Sequence, residues 1–124
     1  MFCFFASVSI WAQEPVRVLF YNTENLFDTI DNPDTRDEDF TPSGKLKYND
    51  ERYEQKLENL AQVINSAFEK SSPSIIGLCE VENKAVVQAL IDRIEGQYQV
   101  VHFESPDFRG IDNAIAFATN HPWL

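Results

Sequence analysis

Apolar residues recur along the chain in two ways, as short unbroken runs and as stripes spaced by three and four. Val16-Arg17-Val18-Leu19-Phe20-Tyr21 is β-branched and aromatic, and reads as a buried strand. It gives way to Asn22-Thr23-Glu24-Asn25, residues that favour turns. From Asp28 to Gly44 the chain is polar, is broken by Pro33 and Pro42, and reads as an exposed acidic loop. A helix then starts at Asn49 or Asp50, both good N-caps. Tyr53, Leu57, Leu60, Ala61, Ile64, Ala67 and Phe68 form its apolar face, with Glu54, Lys56, Glu58, Gln62 and Asn65 mostly directed to water. Ser71-Ser72-Pro73 stops it.

A second unbroken run, Ser74 to Cys79, reads as a strand that ends at Glu80. A second helix is expected over Asn83–Ile94, burying Val86, Val87, Leu90, Ile91 and Ile94, with Gly96 closing it. Tyr98–Phe103 and Ile111–Phe117 read as two further strands around the loop Ser105–Gly110. Runs without alternation predict strands covered on both faces, hence a layered α/β arrangement. The first strand, crossover helix and second strand form a βαβ unit with parallel strands. Residues just past the two strands therefore leave the sheet at one carboxyl edge, where ligand sites of α/β sheets collect.

That edge singles out Asn22, Glu24 and Glu80. Glu80 follows a buried strand directly, and its carboxylate is a hard oxygen ligand suited to a cation such as Mg²⁺. The Asn22 amide can orient a phosphate or a water, and Glu24 adds a second acid beside it. Taken singly, each has a plainer role as a cap, a turn or a solvated charge. Together at one rim they form a candidate site. Arg109 can meet a phosphate bidentately or pair with Asp107 or Asp112. The acids from Asp31 to Asp39 lack the spacing and central glycine of a calcium loop and read as solvated.

Charge narrows the partners. The 124 residues hold 10 Lys and Arg against 20 Asp and Glu, a formal net charge of −10. Such a surface repels phosphate backbones unless cations intervene, which disfavours nucleic acid and favours divalent ions. A hydrophobic content of 44% with ten Phe supports a packed core in one domain. Met1–Ala12 is uncharged and too short to span a bilayer. It reads as the apolar part of a secretory signal cut before Gln13, without the basic stretch such signals carry, or else as a core strand. The first reading gives a secreted or periplasmic protein, a domain over 13–124 and Cys79 as the one remaining cysteine.

Val18-Leu19-Phe20-Tyr21-Asn22-Thr23-Glu24-Asn25-Leu26-Phe27 resembles the opening strand and turn of the endonuclease/exonuclease/phosphatase superfamily. Pro73-Ser74-Ile75-Ile76-Gly77-Leu78-Cys79-Glu80-Val81-Glu82 resembles its second motif. Arg109-Gly110-Ile111-Asp112 before a hydrophobic strand resembles a branch commonly secreted by bacteria. The likeness spans roughly residues 16 to 118. It implies the N-terminal half of a four-layer α/β sandwich that hydrolyses phosphate esters with Mg²⁺ or Mn²⁺. It also implies Glu80 as principal metal ligand, Asn22 as the amide that helps hold metal and phosphate, and Glu24 as an acid near the metal.

Two departures qualify the likeness. Glu82 stands where nucleases of the family often carry a basic residue, which argues against a DNA groove. The family's Asp/Asn pair, catalytic His and final Asp-His pair belong to a second half not contained in these residues. His102 and His121 lie outside those contexts and read as structural. The expectation is therefore a fragment without activity of its own. The alternative is a non-catalytic remnant or acidic binding module. An uncovered apolar sheet face would make such a fragment self-associate.

Overall fold

The computed structural model describes residues 15–68 and 71–120, so the apolar segment at 1–12 and His121 lie outside the described residues. The elements follow the expected order: β1 (Val18–Leu26), α1 (Asp50–Ser66), β2 (Ile75–Val81), α2 (Lys84–Ile91), β3 (Tyr98–Phe103) and β4 (Asp112–Ala118). A short 3-10 turn, Glu38–Phe40, interrupts the acidic loop. The four strands form one mixed sheet in the order β1-β2-β4-β3. β1 and β2 run parallel, and the other two pairs are antiparallel. This α/β layer is consistent with half of the sandwich that the resemblance implies.

Both helices pack on the same face of the sheet. Leu57, Leu60, Ala61 and Ile64 of α1 and Val86, Val87, Leu90 and Ile91 of α2 close over Leu26, Ile76, Leu78, Val81, Val100, Ala114 and Ala116. Fully burying one such Leu or Ile is worth about 1.5–3 kcal/mol relative to leaving it exposed. Arg93, just beyond α2, joins the two helices by reaching Glu54 at 2.5 Å and Glu58 at 3.2 Å on α1. Asn65 does the same by its amide, donating to Arg93 O and accepting from the Glu95 N–H, rather than facing water.

The opposite face differs from expectation. Val18, Phe20, Val101, Phe103 and Ile115 are exposed there, Phe20 and Phe103 by 71% and 76%. The strands are apolar on both faces, as their unbroken runs say, but the described residues cover only one. The acidic loop also departs from its reading as solvated. Phe27 stacks on Phe40 at 4.2 Å, and Tyr48 meets Phe40 edge-on at 5.9 Å, giving the loop a small aromatic core. Asp37 is 2% exposed and accepts a hydrogen bond from the Asn32 N–H.

Boundaries shift where polar residues meet the sheet. β1 continues through Asn22–Asn25 to Leu26 instead of ending at Tyr21. Its pairing with β2 breaks after Asn22↔Cys79 and resumes at Leu26↔Val81. β2 is likewise interrupted against β4 between Cys79 and Val81. These irregularities turn residues that would point along the ladder towards the sheet rim.

Candidate functional site

The two interruptions meet at the carboxyl edge of β1 and β2, and there Asn22 and Glu80 touch. Asn22 Nδ2 donates to Glu80 Oε1 at 3.0 Å, across 58 positions of sequence. The second oxygen, Glu80 Oε2, accepts from the Asn25 N–H at 3.1 Å. Asn22 Oδ1 accepts from the Glu24 N–H at 2.7 Å and folds the turn back on itself. Thr23, 1% exposed, places its hydroxyl 3.0 Å from Cys79 O and 2.8 Å from Glu80 O, bracing the bulge from inside.

The local backbone is strained. Glu24, Asn25 and Glu80 have φ values of 53°, 64° and 60°, and they are three of the four non-glycine residues with positive φ among those described. Such conformations cost about 1–2 kcal/mol each for a side chain with a Cβ, and they cluster where a site needs them.

Lys56, placed among the water-facing positions of α1 by the spacing, instead turns towards this turn. Its ammonium donates to Glu24 O at 2.6 Å and to Asn25 O at 2.9 Å. Burial pushes the Lys56 ammonium below its ordinary pKa, while the charges of Glu24 and Glu80 pull the other way. A lysine next to an apolar stripe is ordinarily read as solvated, and contacts to backbone carbonyls leave no mark in a sequence. Position beside Leu57, at the border of the buried face, was the one available signal.

Both Glu80 oxygens accept a single described hydrogen bond each, leaving lone pairs for a further ligand. The Glu80 carboxylate and the Asn22 amide oxygen are hard oxygens, the donor chemistry that Mg²⁺ and Mn²⁺ take, while the Glu24 contacts to this pair run through its backbone. The residues present fit such an ion.

Arg109 is occupied elsewhere. Its guanidinium meets both carboxylate oxygens of Asp107, at 3.2 and 3.1 Å, and these hydrogen bonds hold the Asp107 carboxyl below its usual range. Of the two pairings left open by the sequence, Asp107 is the one found. The charge of Glu80 still acts on Arg109 from a distance.

Glu82 does not face a groove. It is 7% exposed, accepts from the Asp28 N–H at 2.7 Å, and burial raises its carboxyl to about 7, with Asp28 and Asp37 adding repulsion. Its position therefore carries no argument about a DNA backbone.

A second group of donors, His102, Glu104 and Asp112, has ligand atoms within 4.8 Å of one another. His102 Nε2 lies 3.2 Å from Asp112 Oδ2, and Nδ1 lies 3.8 Å from Glu104 Oε1. The Nε2–Oδ2 approach is close, yet neither atom has a hydrogen-bond partner among the described residues. The nearest approaches of the two acids are to different nitrogens of the one ring. Asp112 Oδ1 also accepts from the Ser105 N–H at 2.7 Å, tying the ends of the Arg109 loop together.

A family model described as the endonuclease/exonuclease/phosphatase family matches residues 17–121. A search of curated proteins and a search of solved structures each matched nothing.

Proposed function

The chain belongs to the endonuclease/exonuclease/phosphatase family, and from that premise we propose that it carries the metal-holding, phosphate-facing part of a phosphoester hydrolase. The observation that supports this most directly is the 3.0 Å contact between Asn22 and Glu80, made across 58 positions at the carboxyl edge of a parallel pair. In this reading Glu80 and Glu24 hold Mg²⁺ or Mn²⁺, and Asn22 keeps the Glu80 carboxylate in place while offering its amide to a phosphate oxygen. A bound ion would supply charge to neutralise phosphoryl and leaving-group oxygens, which also offsets the −10 of the chain. Arg109 serves a phosphate only by exchanging Asp107 for it, so its contribution is secondary.

His102 is the one histidine among the described residues, and its side chain is 4% exposed between two acids. It is not placed to activate water. We therefore expect no turnover of a chromogenic phosphodiester with Mg²⁺ above the rate without protein. Turnover that Glu80→Gln abolishes would overturn that expectation.

Calorimetric titration with Mn²⁺ tests the reading itself. One ion per chain is expected, with Glu80→Gln weakening uptake by about tenfold or more. Equal heats from the two proteins would remove Glu80 from any metal site. Export rests separately on Met1–Ala12: expressed in a bacterium, the protein of the periplasm or medium should begin at Gln13 in N-terminal sequencing.

A further inference from the structure

The turn at Asn22–Asn25 has a shape that its own residues do not favour. Two successive side-chain-bearing residues, Glu24 and Asn25, lie in the left-handed region. With the ladder interrupted there, Lys56 is the donor to the Glu24 carbonyl, and the Asn25 carbonyl accepts from Lys56 and from the Phe27 N–H at 3.2 Å. Lys56 is held in place from below, because its neighbour Leu57 is fully buried in the core. The turn in turn supplies both donors that fix Glu80, the Asn22 amide on one oxygen and the Asn25 N–H on the other.

We propose that Lys56 is a positioning residue for the metal site: it clamps the Glu24–Asn25 backbone so that Asn22 and Asn25 present the Glu80 carboxylate in a single orientation. It does so through two carbonyls and without touching ion or substrate. The proposal rests on the reading of Glu80 as a metal ligand.

The sign of one substitution separates positioning from simple charge. An ammonium beside a cation site repels the ion, so if Lys56 acted only by its charge, Lys56→Met would bind Mn²⁺ more tightly. If Lys56 positions the turn, Lys56→Met binds Mn²⁺ about 10–100-fold more weakly, as loss of an outer-shell support does. Lys56→Arg keeps the charge and several donors and should recover most of the affinity.

The experiment is calorimetric Mn²⁺ titration of the full chain and these variants, with thermal melting recorded alongside. Weaker uptake by Lys56→Met, restored in Lys56→Arg, supports the clamp. Unchanged or tighter uptake by Lys56→Met overturns it, and so does a lowered melting temperature with unchanged affinity. Should Lys56→Met not fold, Lys56→Gln takes its place, since one amide cannot donate as an ammonium does to both carbonyls, and the same outcomes apply. If the wild-type chain takes up no Mn²⁺, the metal reading fails and the clamp with it. If the wild type binds and Lys56→Met binds equally well, only the clamp fails.

Discussion

Folding alters the ionisation of Glu82 strongly. Its carboxyl rises from an ordinary 4.5 to about 7 because burial penalises the charged form. A raised acid favours the protein in its protonated form, so this contribution is fully present below pH 4.5 and is lost as pH climbs from there to about 7. The expected loss is on the order of 3 kcal/mol. Glu82→Gln should flatten that part of the stability–pH curve and melt higher than the wild type at pH 8. Identical slopes in urea titrations across that window would refute this. The same residue shows what a sequence hides. Asn22 and Glu80 could be paired from the sequence, because a βαβ unit brings the ends of its strands to one rim. The inward turn of Glu82 and the reach of Lys56 depend on bulges and on backbone carbonyls, which no residue type announces.

Short elements here depend on their ends. α2 has eight residues, and Asn83 caps it by accepting from the Ala85 and Val86 N–H groups at 2.8 and 3.0 Å. Its amide also donates to Asp28 Oδ2 at 3.2 Å, so one side chain joins the helix start to the loop after β1. Asn83→Ala should cost about 1–2 kcal/mol in chemical denaturation, more than an exposed helix substitution would. A change below a few tenths would mean the cap is dispensable. The start of α1 at Asn49 or Asp50 and the bounds of β3 were legible, from good N-cap residues before an apolar stripe and from an apolar run between Gly96 and the loop at Ser105. Asn83, by contrast, read as the first residue of the second helix, is its cap. The end of β1 was not. Asn22–Asn25 have turn propensity, but renewed pairing of Leu26 with Val81 keeps them in the strand. α2 stops at Ile91 rather than Ile94, though Ile94 is still buried.

At the scale of the molecule, one face of the sheet is apolar and is left uncovered by the described residues. Val18, Phe20, Phe103 and Ile115 present it to solvent. Contiguous exposed apolar surface drives association, while a net charge of −10 opposes it. Sedimentation should therefore show self-association that grows as salt screens the repulsion, with a Debye length of ~10 Å at 0.1 M salt. Phe20→Ser combined with Phe103→Ser should suppress it. A chain that stays monomeric at high salt would show that this face does not associate. Unbroken apolar runs made both faces legible as apolar, but a run cannot say which layers are present to cover them. Among the described residues, no helix is long and apolar enough to cross a membrane.

The left-handed backbone at positions 24, 25 and 80 sets fitness against function in a way that selection could reveal. Glycine relieves such geometry without penalty from a Cβ. A mutant library screened for heat resistance alone should then enrich glycine at all three sites, erasing two carboxylates and a turn amide in the process. Screened for ion capture, the same library should keep the acids and tolerate the discomfort.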